Sequence, residues 1–111
     1  MNRKESTMEY TLYCCDAFDT ELVNQFYDDF TEGYHYIYKF ANGYGASVVK
    51  HSFSYGHEQD FWELAVTKYD ESGNWDICYS TPITSDVLGY LSDEEVYETL
   101  KSINSLYPDV D

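Results

Sequence analysis

The clearest pattern in the chain is a strict alternation between Tyr34 and Tyr55. Tyr34, Tyr36, Tyr38 and Phe40 fall on one side at period two, and His35, Ile37, Lys39 and Ala41 fall on the other. Asn42-Gly43 follows, the dipeptide best suited to the positive φ angles of a tight hairpin turn. Gly45 leaves room for a bulge or a longer loop, and a return strand starts at Ala46 with Val48 on one face and Val49, Phe53 and Tyr55 on the other. Two more alternating runs lie beyond a polar loop at residues 54–60. Phe61 to Tyr69 places Trp62, Leu64 and Val66 together, and Trp75 to Ser80 places Trp75, Ile77 and Tyr79 together. Asp70 to Asn74 makes the turn between them, and Pro82 ends the second.

Helical periodicity occurs twice. Leu22, Phe26 and Phe30 recur at i, i+4 and i+8 behind Asp19, a good N-cap, which predicts a helix over Thr20 to Thr31 stopped by Gly33. Its C-terminal end would carry Asp28, Asp29 and Glu32, where the helix dipole favours cations, and a broken local rule of this kind points to a functional site. Ser92 to Glu95 has the form of a capping box, and Val96, Leu100 and Ile103 make the apolar stripe of a helix from Asp93 to Leu106, stopped by Pro108. A short strand over Glu9 to Cys15 completes the set. The expected architecture is α+β: an antiparallel sheet of about four to five strands with two helices packed on one face. Residues 1–8 are expected to be a flexible N-terminus, 9–107 a single domain and 108–111 a C-terminal tail.

Composition changes this picture in one respect. The 111 residues carry 21 acids against 6 bases, a formal charge of −15. Between Glu5 and Tyr38 there is no Lys or Arg, while Glu5, Glu9, Asp16, Asp19, Glu21, Asp28, Asp29 and Glu32 are all acidic. A charge of this size destabilises the compact state by self-repulsion. It also disfavours direct binding to nucleic acid or an anionic membrane. Solubility would explain it, and so would a basic partner. Aromatics make up 19% of the chain, thirteen of them tyrosines, enough apolar area to order it despite the charge.

Candidate catalytic chemistry is thin. Cys14 and Cys15 alternate faces on the predicted strand, so they do not converge with His51 or His57 on a thiol or metal site, and no ligand spacing of a zinc site is present. The odd count with Cys78 argues against a disulfide framework. Asp16-x-x-Asp19-x-Glu21 lacks the calcium-loop spacing. A pair of carboxylates for glycoside chemistry could be proposed anywhere in so acidic a chain. Asn42-Gly43-Tyr44-Gly45 lacks the lysine and following helix of a phosphate loop, and the tyrosine row lacks basic neighbours for stacking nucleobases. No cofactor, no metal and no catalytic residue is expected. No apolar run approaches a membrane span, and the first ten residues lack the apolar stretch of a signal peptide, so a cytoplasmic location is expected.

The segments FANGYGASVV (Phe40 to Val49), FSYG (Phe53 to Gly56), WELAV (Trp62 to Val66) and CYSTPITSDVLGYL (Cys78 to Leu91) resemble a group of small acidic phage- and prophage-encoded proteins. The resemblance implies a mobile-element origin. In size and charge the chain is similar to anti-CRISPR and anti-restriction inhibitors, several of which mimic DNA. It therefore implies a non-enzymatic inhibitor whose carboxylates stand in for phosphates against a basic nucleic-acid-binding protein of the host, a CRISPR effector first and a restriction nuclease next. The expected contact residues are Asp16, Asp19, Glu21, Asp28, Asp29 and Glu32, extended by Glu58 and Asp60, with Tyr27, Tyr34 and Tyr36 as amphipathic contacts between them. An immunity protein or antitoxin neutralising a basic toxin would use the same physics, and an accessory phage protein would need only the solubility. Exposed tyrosines and a sheet edge leave a homodimer open.

Overall fold

The computed structural model describes residues 18–29, 33–50, 61–84 and 86–107. The predicted strand over Glu9 to Cys15 lies outside them. Six strands and one helix follow in order: β1 (Leu22–Asp28), β2 (Gly33–Lys39), β3 (Tyr44–Lys50), β4 (Trp62–Tyr69), β5 (Trp75–Ile77), β6 (Leu88–Leu91) and α1 (Asp93–Asn104). All the strand pairs are antiparallel, in the order β1-β2-β3-β4-β5. β5 and β6 divide the outer edge of β4, β5 pairing with Thr67 to Tyr69 and β6 with Trp62 and Leu64. The molecule is a mixed α+β structure with one helix, among the described residues, packed on an antiparallel sheet.

The expected helix over Thr20 to Thr31 is therefore corrected to a strand. Spacings of four and eight are multiples of two, so Leu22, Phe26 and Phe30 satisfied both periods. Val23, Asn24, Phe26 and Tyr27 are mediocre helix formers, and the aromatic and β-branched ones are good strand formers. The misplaced Asp28 and Asp29 now have a simple cause. They sit where β1 runs into its turn, and there is no helix dipole to oppose. A register shift between Leu22 and Asn24 sends Leu22 toward the core and Phe26 to the opposite face. There Phe26 stacks on His35, centroids 4.6 Å apart.

The tyrosine alternation holds. Tyr36, Tyr38 and Phe40 are buried, and register pairs Tyr36 with Val48 and Tyr38 with Ala46, which pair in turn with Leu64 and Val66. Against this face α1 lays Val96, Leu100 and Ile103, all fully buried. Its capping box forms as the sequence indicates, Glu95 N–H to Ser92 Oγ at 3.2 Å and Ser92 N–H to Glu95 Oε1 at 2.9 Å. Phe18, just ahead of β1, fills one end of the layer, edge-on to Phe40 at 5.7 Å. The Trp62 indole N–H donates to Asp93 Oδ1 at 2.8 Å, so one acid of the first turn anchors the helix to β4.

Two turns match expectation, with Gly43 at φ 91° and Gly73 at φ 88°. Gly45 does not form a bulge. It pairs regularly with Lys39 and Thr67 inside the sheet. Leu88 to Leu91 form β6, a strand the sequence pattern did not show, and three residue steps of β6 span two of β4. Tyr90 takes up the extra residue at φ 60°, a left-handed conformation that a bulky side chain adopts only at a cost of about 1–2 kcal/mol. Its ring is exposed. Tyr90→Gly is expected to stabilise the fold by about 1 kcal/mol, raising the melting temperature by about 4 °C. A lowered melting temperature would show that the ring makes contacts worth more than the strain.

Candidate functional site

The structure separates the acidic residues that the sequence grouped. Asp19 and Glu21 lie ahead of β1, and Asp28 and Asp29 lie at its far end. Seven residues of strand put these pairs about 23 Å apart. Asp16, Glu32, Glu58 and Asp60 lie outside the described residues. Tyr27 and Tyr34 are half-buried on the helix side of the sheet, edge-to-face at 4.9 Å. Tyr36 is in the core against Trp62 at 5.6 Å, so it is corrected from contact residue to packing residue. Further carboxylates stand elsewhere, Asp70 and Glu71 in the β4–β5 turn and Glu94, Glu95 and Glu98 on exposed positions of α1.

The described bases are Lys39, Lys50, Lys68 and Lys101. Three lie over aromatic rings: Lys39 over Tyr69 at 5.1 Å, Lys50 over Trp62 at 4.4 Å and Lys101 over Tyr97 at 5.1 Å. Lys101 also pairs with Glu98 at 3.2 Å. Cation–π attraction fixes these ammonium groups in place, and the surface remains strongly negative.

A different feature emerges on the face of the sheet away from α1. Register places Gly45 and Ser47 of β3 beside Ala65 and Thr67 of β4 on this face, all small. The flanking strands carry large side chains, Val23 and Phe26 on β1 and Trp75 and Ile77 on β5, all exposed. The sheet curls around its small centre, and residues from both edges line one cleft: Val23, Asn24 and Phe26 from β1, Ile37 and Lys39 from β2, and Tyr69, Gly73 and Trp75 from the β4–β5 hairpin. Its floor is shielded, with Ile37 and Ala65 buried and Thr67 wholly so. Tyr69 crosses the glycine gap at Gly45 and donates its hydroxyl to the Tyr38 carbonyl at 3.3 Å. Burial holds the Tyr69 phenol above the ordinary tyrosine value, which keeps it a neutral donor.

The cleft is mostly apolar, with the Asn24 amide and the Lys39 ammonium as its polar groups. Such a surface suits binding more than bond chemistry, and exposed aromatics of this kind are common anchors of protein interfaces. Among the described residues no group of three or more His, Cys, Asp or Glu side chains is placed to hold a metal ion, and no helix is long and apolar enough to cross a membrane. Sequence reasoning identified Trp75, Ile77 and Tyr79 as one apolar face without placing it against either side of the sheet. The signal for the cleft was the small side of β3 and β4, Gly45, Ser47, Ala65 and Thr67, between larger side chains on the flanking strands.

No family model, characterised protein or solved structure gives a significant match to this chain. The class defined by fold and site is a small acidic sheet-and-helix protein with exposed aromatic side chains at the margins of the sheet face away from α1.

Proposed function

We propose that this chain is a non-enzymatic binding inhibitor, phage-encoded, that occupies a basic nucleic-acid-binding surface of a host defence nuclease, a CRISPR effector first and a restriction nuclease next. The observation that carries the proposal is the combination of a −15 charge with an exposed aromatic face on the same molecule. The charge steers the chain to a cationic surface, and the aromatics supply short-range contact once it arrives. Blocking follows from competition, since carboxylates occupy the Lys and Arg groups that would otherwise hold phosphates. Asp28 and Asp29 are one of the two acidic pairs of the expected contact set among the described residues, Asp19 and Glu21 being the other.

The test is competition with a labelled DNA duplex for a purified CRISPR effector or restriction nuclease, read by fluorescence anisotropy at low and high salt. Displacement that weakens steeply with salt is the expected result. Replacing Asp28 and Asp29 by lysine is expected to weaken displacement roughly tenfold, about 1.4 kcal/mol. No displacement of nucleic acid from either nuclease class at low salt would refute the proposal. Undiminished displacement by the folded double variant would remove this acidic pair from the site.

A further inference from the structure

Among the described residues the sheet has two edges, and they are built differently. On the β4 side the outer strands are short, β5 of three residues and β6 of four. Cys78 N–H donates to the Val66 carbonyl at 2.7 Å, so Cys78 turns its backbone toward β4 and Ile77 turns its own outward. That outward amide is already taken, because Ile77 N–H donates to Asp76 Oδ1 at 2.8 Å. Short strands and blocked edge groups keep a sheet from pairing further. β1 is longer. It runs for seven residues, Leu22–Asp28, contains no lysine or proline, and pairs regularly with β2 from Asn24 to Asp28. We propose that the outer edge of β1 accepts an extended basic segment of the partner as an added strand. The proposal rests on the binding-protein reading and names the element recognised.

Hydrogen-bond alternation identifies the group that would bind. Lys39 N–H donates to the Glu21 carbonyl at 2.8 Å, so Lys39 turns its backbone toward β1, and Ile37 and His35 follow at period two. Tyr36, between them, faces β3, and its register partner Gln25 points its N–H and C=O away from β2. No described strand lies beyond β1 to receive them, and Val23 through Phe26 are exposed. Strand addition draws affinity from such main-chain groups, and side chains supply the selectivity. Here the selecting feature is charge. Asp19 and Glu21 precede β1 and Asp28 and Asp29 close it, so a strand laid along its roughly 23 Å meets carboxylates at both ends. The one base of β2, Lys39, has its ammonium over the Tyr69 ring at 5.1 Å. An occupant with Lys or Arg toward both ends fits this edge. A second copy does not: antiparallel pairing about Gln25 would bring the acidic end of one β1 against the acidic start of the other, and like charges facing across a strand pair repel.

The probe is a synthetic peptide of about nine residues, with Lys and Arg at both ends and Thr, Val and Tyr between them. One control has the same sequence with its central backbone amides N-methylated, which keeps the charge and removes the main-chain donors. A second control carries Glu at both ends. With the isotopically labelled full chain, the basic peptide is expected to slow amide hydrogen exchange at Gln25 by about tenfold or more. Tyr36, whose amide faces β3, is the internal reference and is expected not to change. Both controls are expected to bind about tenfold more weakly or worse and to leave Gln25 unprotected. Gln25→Pro removes the outward donor without removing a bond to β2, a substitution that edge strands tolerate, and is expected to weaken peptide binding by about tenfold or more. Should that variant fail to fold, the N-methylated peptide tests the same bonds on the unaltered chain.

Equal binding of the basic peptide and either control, binding by none of them, or a folded Gln25→Pro chain that binds as the parent does would each overturn the added strand. So would a Gln25 amide already protected in the free chain. Protection that grows with protein concentration would assign the edge to a second copy, and protection that does not would assign it to another part of this chain. These outcomes are separate from the nuclease assay. Slowed exchange at Gln25 without displacement from any nuclease would keep the edge and discard the target. Displacement undiminished by Gln25→Pro would keep charge mimicry and discard the edge.

Discussion

Replacing Asn42 by aspartate is expected to destabilise the fold by about 3 kcal/mol, lowering the melting temperature by about 10 °C. The two side chains have nearly the same shape, so the effect isolates chemistry. The Asn42 amide donates to the carbonyls of Ile103 and Leu106, each at 2.9 Å, and its own carbonyl accepts from Tyr44 N–H at 3.0 Å. One turn residue thus closes the β2–β3 hairpin and caps the end of α1. The carbonyls beyond the last helical turn have no partner within the helix. Aspartate removes both donors, about 1 kcal/mol each, and adds a carboxylate where the helix dipole is negative, about 0.5–1 kcal/mol more. Asn42→Ala loses the two donors and also the acceptor for Tyr44 N–H, about 3 kcal/mol, without adding a charge. The two variants separate by pH. A carboxylate facing carbonyl oxygens has a folded-state pKa above its unfolded value of about 3.9. Its penalty is absent below that value and grows as pH rises through the raised one. Thermal melts of both variants against the parent at pH 4 and pH 7 provide the check. An Asp–Ala difference that is the same at pH 4 and pH 7 would show that the helix end does not sense the charge.

The double duty of Asn42 also shows what a sequence can and cannot reveal. Its place in the turn was legible, because Asn-Gly between two alternating strands is a local signature. Its bonds to residues 61 and 64 positions away were not, since nothing local announces them. The same division runs through the fold. The faces of β2 and β4 and the cap of α1 follow from neighbouring residues, and all three match the structure. Leu22 to Asp28 went astray because its apolar spacing satisfied both periods, and the deciding partner, β2, is a tertiary contact. β6 is four residues long and contains a left-handed tyrosine, so no alternation marked it.

The candidate site divides in the same way. Net charge is a sum, legible without a fold, whereas the position of each charge is not. Asp19 and Asp28 are close in sequence yet stand at opposite ends of a strand, because an extended chain covers about twice the distance of a helix per residue. The cleft needs still more. It depends on the small residues Gly45 and Ser47 being brought level with Thr67 and Ala65, which only strand register accomplishes.

Gly45→Ala is the second large effect expected, a loss of about 3 kcal/mol from a single methyl group. The backbone at Gly45 does not require glycine, since only Gly43 and Gly73 among the described glycines have positive φ. Space is what requires it. A Cβ at this position would run into the backbone carbonyl of Tyr38 and would stand 2.8 Å from both Thr67 Oγ1 and Tyr69 Cε1. A side chain could move aside, but the carbonyl belongs to a paired strand and cannot shift without disturbing the β2–β3 ladder. Gly73→Ala is the natural comparison. A Cβ there meets nothing within 4 Å, but φ is +88°, so the cost is backbone strain alone, about 1–2 kcal/mol. The two substitutions also differ in rescue. Tyr69→Ala in the Gly45→Ala background removes one clash and leaves the carbonyl in place, so stability is not expected to return. Denaturant melts of the single and double variants measure this directly. Recovery in the double variant would show that the Tyr69 ring, and not the Tyr38 carbonyl, is what excludes a side chain from Gly45. Because Tyr69 lies over this glycine and carries Lys39 on its ring, the variant also deforms the cleft.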